Sequence, residues 1–186
     1  LAMAVSPDGR TALSSGRDGG LIQWDLVDAQ EIKRLRGHQD SVWDVAFSPD
    51  GRQALSSSGA ASPSVLVQDA SLRLWDLASG KQLQVAALPV DVIMQVAISP
   101  DGRTALAAAT DGLIHVWDLA AWQEVGRLQG HTGPVTGVEF TSDSQRALSV
   151  SVDGAVILWD VPARQIIHRL SGHGQGLWSL AISPDG

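Results

Sequence analysis

A chain of 186 residues, 44% hydrophobic and 18% charged, suits one ordinary folded domain and shows no tail of disordered composition. No apolar run reaches the ~18–20 residues of a membrane-spanning helix, and the absence of cysteine excludes disulfides, thiolate metal sites and a cysteine nucleophile. The net charge of −7 argues against a nucleic-acid partner, which asks for a basic face.

Read from the start, Leu1 to Val5 is a short apolar run closing on Ser6-Pro7-Asp8-Gly9. That tetrapeptide makes a tight turn, with proline fixing φ and glycine accepting φ > 0. A second run follows, then Asp18-Gly19, a third run ending in Trp24-Asp25, and a fourth at residues 31–35. Gly37-His38 opens the next cycle, with runs at 42–48 and 53–57, a third ending in Trp75-Asp76, and a fourth at 81–85. The third cycle runs through 93–99 and 113–118 to 123–128, around Trp117-Asp118. The fourth runs from Gly130-His131 through Trp159-Asp160 to 165–170. Gly172-His173 then precedes one more inner run at 177–183, before Ser183-Pro184-Asp185-Gly186. The runs are short and rich in β-forming residues, and none keeps a helical period for ten residues.

The Trp-Asp pairs stand 51, 42 and 42 residues apart. The Gly-His and Ser-Pro-Asp-Gly markers keep the same 42-residue period, so the chain is an internal repeat. The longer spacing is a nine-residue insertion within residues 59–68. Thirteen of the 17 aspartates occupy three recurring repeat positions, so the acidity is turn chemistry spread along the chain. One and three residues before each Trp the side chains are apolar (Leu21, Leu72, Leu74, Ile114, Val116, Val156, Leu158), with Gln23 the exception. Strands apolar on nearly both faces are covered on both sides, as in a sheet stacked between neighbouring sheets.

Linked Gly-His, Ser-Pro-Asp-Gly, Asp-Gly and Trp-Asp markers at this period resemble the WD-repeat β-propellers, and the resemblance covers the whole chain. The regular Ser-Pro-Asp-Gly-Arg repeats look like those of bacterial members. The resemblance implies an all-β chain of four-stranded antiparallel blades at residues 1–36, 41–87, 92–129 and 134–171, forming one propeller segment. A surplus inner strand at 176–186 suggests a fragment of a larger propeller or an open one. It further implies a His–Ser–Asp–Trp set that braces each blade. His131, Ser149, Asp153 and Trp159 complete such a set, as do His38, Ser56, Asp69 and Trp75 once the insertion is removed. The blade of Ser14, Asp18 and Trp24 lacks its histidine. The blade of Asp111 and Trp117 has Pro89 and Ala107 in place of histidine and serine, and is expected to be the softest.

Catalytic chemistry finds little support. His38, His131 and His173 hold equivalent repeat positions, which a propeller separates around its ring, so they do not converge on a metal. His168 is expected to be solvated and His115 packed beside Trp117. The acids outside the turns share no spacing that implies a dyad, and no Gly-x-Ser-x-Gly elbow or phosphate-cradling glycine loop is present. No cofactor or metal is implied.

The resemblance implies instead a platform for other proteins or peptides, with no nucleic acid or membrane partner and a cytoplasmic setting. Candidate contacts are the variable positions one residue into each inner strand, Trp43, Met94, Thr136 and Trp178, and the residue before each bracing Asp, Arg17, Gln68, Thr110 and Val152. The inserted Val65-Leu66-Val67 is either a contact loop or packs on its own blade. Two other roles stay open: a propeller regulating or recruiting substrate for a catalytic domain, such as a kinase, outside this segment, and a structural repeat self-associating through open blade faces.

Overall fold

The four-fold rhythm of the sequence becomes four antiparallel sheets of four strands each, every one a simple meander. The computed structural model describes residues 1–60 and 66–183. The first sheet holds β1 (Met3–Val5), β2 (Thr11–Ser15), β3 (Gly20–Asp25) and β4 (Gln30–Arg36). The second holds β5 (Ser41–Phe47), β6 (Gln53–Gly59), β7 (Ser71–Asp76) and β8 (Lys81–Ala87). The third holds β9 (Ile93–Ile98), β10 (Thr104–Ala109), β11 (Leu113–Asp118) and β12 (Gln123–Gln129). The fourth holds β13 (Val135–Phe140), β14 (Arg146–Ser151), β15 (Ala155–Asp160) and β16 (Gln165–Ser171). No helix occurs among the described residues, and none is therefore long and apolar enough to cross a membrane. The chain divides into two compact units, Leu1–Ile93 and Met94–Gly186.

Each repeat marker has a mechanical job. In the turn after β5, Ser48 Oγ donates to Asp50 Oδ1 (2.6 Å) and accepts the Gln53 N–H (2.9 Å), while Gly51 sits at φ 70°. In the degenerate turn after β13 Thr141 Oγ1 donates to Asp143 Oδ1, which accepts the Arg146 N–H, and Ser144 is forced to φ 61° where glycine would be unstrained. The Asp of each Trp-Asp pair caps the turn that follows: Asp118 Oδ1 accepts the Ala121 N–H, and Asp160 Oδ1 that of Ala163 (both 2.8 Å). The register slips at the same place in all four sheets, between the Trp and the residue before it. This repeated bulge turns the indole relative to the strand and strengthens the local twist.

The cores form between successive sheets within each unit. In the first, Leu13, Leu21 and Leu35 pack with Val42, Val45, Ala54 and Trp75. In the second, Leu106, Ile114 and Leu128 pack with Val135, Val138, Ile157 and Trp159. Trp75 and Trp159 are almost wholly buried, each worth roughly 1.5–3 kcal/mol or more in buried apolar surface. Gln23, the polar exception in the apolar row, is buried too, and its Oε1 finds no partner among the described residues.

The surplus inner strand is not a ladder strand. Residues 177–183 belong to no sheet and are tied to the fourth sheet by single bonds: Leu177 N–H to Ser151 O (3.0 Å), Thr136 Oγ1 to Leu177 O (2.6 Å) and Ile182 N–H to Glu139 Oε2 (3.0 Å). An apolar alternating run becomes a strand only beside a neighbour that completes its hydrogen bonds, and no described segment pairs with this one.

Candidate functional site

Two sets of side chains stand out: polar clusters inside the sheets and exposed groups on the loops that join them. In the second sheet His38, from the loop before β5, reaches down so that Nδ1 lies 2.9 Å from Asp69 Oδ2 and Nε2 lies 2.7 Å from Ser56 Oγ. Trp75 Nε1–H donates to the same Ser56 Oγ at 2.8 Å. In the fourth sheet His131 Nδ1 lies 3.1 Å from Asp153 Oδ2 and Nε2 lies 2.8 Å from Ser149 Oγ, and Trp159 Nε1–H donates to Ser149 at 2.7 Å.

Electrostatics agree with the geometry. Burial lowers the pKa of His38 and of His131 and outweighs the opposing pull of Asp69 and Asp153, so both rings favour the neutral form. Burial works against ionised Asp69, but bonds from His38, Ser71 and the Gln39 N–H outweigh it and hold the carboxyl well below its usual range. Asp153 follows the same pattern: burial is outweighed by the Thr132 and Ala155 N–H groups and His131, bringing its pKa down to about 2.

The order Asp–His–Ser is that of a nucleophilic triad, but both serines are closed off. Ser56 and Ser149 are fully buried, and each hydroxyl oxygen already accepts an indole N–H. The Ser-Pro turn hydroxyls of Ser6, Ser48 and Ser99 are also buried and donate to the turn aspartates.

The other two sheets differ. Trp24 Nε1–H donates to Ser14 Oγ (2.8 Å), but among the described residues no histidine ring bonds Asp18, and a cavity of ≈ 490 Å³ lies beside Ser14, Asp18 and Arg34. In the third sheet, Pro89 and Ala107 leave Trp117 Nε1 without an acceptor among the described residues, and its indole stacks instead on Trp122 at 5.7 Å. His115, two residues before Trp117, bonds the aspartate of this sheet from a different position. Its Nε2 lies 3.2 Å from Asp111 Oδ2 and its Nδ1 lies 3.0 Å from Glu124 Oε1. Asp111 thus receives a histidine from its own strand. The second sheet has a parallel in Arg73 at the same repeat position, bonded to Asp69 four residues before and Gln82 nine after.

Of the loop positions in the first unit, Arg17 and Gln68 are exposed and Trp43 is half-buried, its Nε1–H donating to Gly59 O at 3.3 Å. Residues 40–43 draw these loops together: Ser41 Oγ donates to Arg17 O (3.5 Å), and Asp40 Oδ2 accepts the N–H groups of Gln68 and Asp69 (2.6 and 2.8 Å). The insertion begins by lengthening β6, for Gly59 bridges Val92 and the Ala60 N–H donates to Asp91 O (3.1 Å). It returns with Leu66 almost fully exposed and Val67 partly so; its Val65 lies outside the described residues.

In the second unit Trp178 is 70% exposed, Met94, Thr110 and Val152 are partly exposed, and Thr136 is buried with its hydroxyl spent on Leu177 O. Thr136 therefore offers no side chain to a partner. Trp178 and Val152 lie on adjoining backbone, joined through the Leu177–Ser151 bond. His168 lies exposed on β16 and His173 is exposed in the loop after it.

Comparison with known proteins agrees with this geometry. The family described as WD domain, G-beta repeat matches residues 1–25, 29–76, 84–118, 122–160 and 164–186. An uncharacterised WD repeat-containing protein of Synechocystis is 33% identical over 107 residues, covering 58% of this chain and 28% of that protein. Protein groucho of Drosophila melanogaster is 32% identical over 83 residues, covering 45% of this chain and 10% of groucho. The small ribosomal subunit protein RACK1 of the same fly is 41% identical over 86 residues, 42% of this chain and 24% of RACK1. The chain thus spans under a third of the length of each of these relatives.

Proposed function

This chain belongs to the WD40 family of G-beta repeats, and on that premise we propose that it is a non-catalytic platform that holds other proteins or peptides through the loops joining its sheets. One observation carries the reading. His38, Ser56 and Asp69, like His131, Ser149 and Asp153, are bonded to one another inside their sheets, whereas the indole of Trp178 is left 70% exposed. An exposed indole beside rigid backbone makes a hot spot at low entropic cost. Arg17 and Gln68 with the edge of Trp43 form a second contact patch, Val152 extends the first, and Thr110 and Met94 are further contact candidates. Leu66 at the end of the insertion adds an apolar anchor to the Arg17 and Gln68 patch. RACK1, by name a component of the small ribosomal subunit, favours a role inside an assembly.

A photo-crosslinking residue placed at 178, 17 or 68 is expected to capture protein partners, and one placed at Asp28, in an outer turn, is not. Once a partner is in hand, Trp178→Ala is expected to weaken it by roughly 30-fold, the size of a hot-spot loss of ~2 kcal/mol, with the unfolding midpoint unchanged. Equal capture at all four positions, or a Trp178→Ala variant that simply melts, refutes the assignment.

A further inference from the structure

The buried histidine of the third sheet is used by none of this. A neutral imidazole has one N–H to give and one bare nitrogen that accepts. In the second and fourth sheets that suffices: Nδ1–H donates to the aspartate, and the bare Nε2 accepts the serine hydroxyl proton, leaving the serine oxygen to accept the indole N–H. The partners that His115 meets among the described residues are carboxylates. Both its nitrogens face carboxylate oxygens, and ionised carboxylates only accept. Two acceptors require two donors, so the pair of bonds exists only when the cluster carries one additional proton. That proton belongs on the ring, the more basic of the three groups.

Charge balance points the same way. Among the described residues the ionisable groups that face this ring are Asp111 in the β10–β11 turn, Glu124 on β12, and Arg127 on β12 behind Glu124. Arg127, bonded to Glu124 through Nε and Nη2, holds that carboxyl below its usual range, with His115 adding to the effect. With an imidazolium, two cations meet two anions. Without the proton the cluster is left one charge negative, and a bare nitrogen lone pair faces a carboxylate where the His115 side chain is only 1% exposed.

We propose that His115 is a proton-operated clamp: protonated, it joins the β10–β11 turn to β12 through Asp111 and Glu124, and deprotonated, it releases Asp111. Asp111 is the carboxylate that leaves because its side chain is 30% exposed and lacks the guanidinium that pins Glu124. It keeps only its own-turn bond to the Leu113 N–H (3.0 Å). Loss of the ring proton therefore loosens the third sheet at the β10–β11 turn.

The test follows ring ¹⁵N shifts of His115 on the intact chain from about pH 5 to about pH 9, with amide exchange corrected for its intrinsic pH dependence. Both His115 nitrogens are expected to read as protonated at the acid end and to become one-donor, one-acceptor as pH rises. Protection in residues 110–129 should fall roughly tenfold in step, and protection in 135–171 should not. Glu124→Gln keeps the shape but supplies an amide that serves a neutral ring, and should remove the pH dependence of 110–129 while the fold stays intact. A His115 that holds one protonation state throughout, or a Glu124→Gln variant that keeps the wild-type pH profile, overturns the proposal.

Discussion

In the fourth sheet an aspartate, a neutral imidazole, a serine and an indole form a relay in which every donor meets an acceptor. In the third sheet a histidine from β11 sits between two acids, and the indole N–H of Trp117 finds no acceptor among the described residues. Both sheets have the same strand order, the same bulge and the same Trp-Asp turn. The difference teaches that the repeat's backbone does not depend on one polar set. What the architecture requires is that the aspartate before the third strand be bonded to something cationic or donating, and a histidine two residues before the Trp meets that need as well as one from the preceding loop.

The comparison can be broken most forcefully at the serine. Ser149→Ala strands both the Trp159 N–H and the bare nitrogen of His131 in a buried site, and is expected to cost roughly 2–6 kcal/mol at about 1–3 per group, read by denaturant unfolding. A loss under about 0.5 kcal/mol would mean that the relay is ornamental. Acid comes next. The pKa of Asp153 is depressed to about 2, so the stability it contributes is complete above the ordinary Asp range near 4 and is lost as pH falls toward 2, at most about 2 kcal/mol. His38 and His131 are likewise depressed, so their contribution is complete above the ordinary histidine value near 6.5 and drains away below it. Exchange protection in the second and fourth sheets should therefore weaken on acidification, opposite in sign to the third.

Smaller effects sharpen the contrast. Ala107→Ser returns an acceptor to Trp117 Nε1 and is expected to raise stability by about 1 kcal/mol; a loss would show that the site has no room for the hydroxyl. Asp40→Ala frees the N–H groups of Gln68 and Asp69, and should raise exchange at those two amides severalfold with under about 1 kcal/mol of global change.

Most of the strand plan was legible, because Ser-Pro-Asp-Gly and Trp-Asp are local instructions. Each acts within a few residues, through a hydroxyl, a carboxylate and a left-handed glycine, as at Ser48, Asp50 and Gly51. His38 could be paired with Asp69 only after nine inserted residues were set aside, since the repeat register and not the raw spacing places them. His115 escaped because it is off-pattern, and what it touches depends on Glu124 standing opposite on β12. The softness expected of that blade rested on Pro89 and Ala107 standing in place of histidine and serine, and took no account of this second route to Asp111. The run at 177–183 has the composition of a strand, but hydrogen bonding to a neighbour is a property of two segments and no single run contains it. Thr136 reads as a variable loop position, and only the fold reveals that the backbone of Leu177 covers it.

The separation of the brace partners along the chain has a consequence for how the molecule is made. His38 precedes Asp69 by 31 residues and His131 precedes Asp153 by 22, whereas His115 finds its two acids four and nine residues away. A chain emerging from the ribosome can thus lock the third sheet almost as soon as β12 appears. The second must hold an unpaired imidazole until a later turn arrives, paying the greater loop-closure entropy. The relocated histidine makes its sheet the natural place for folding to begin in the second unit during synthesis.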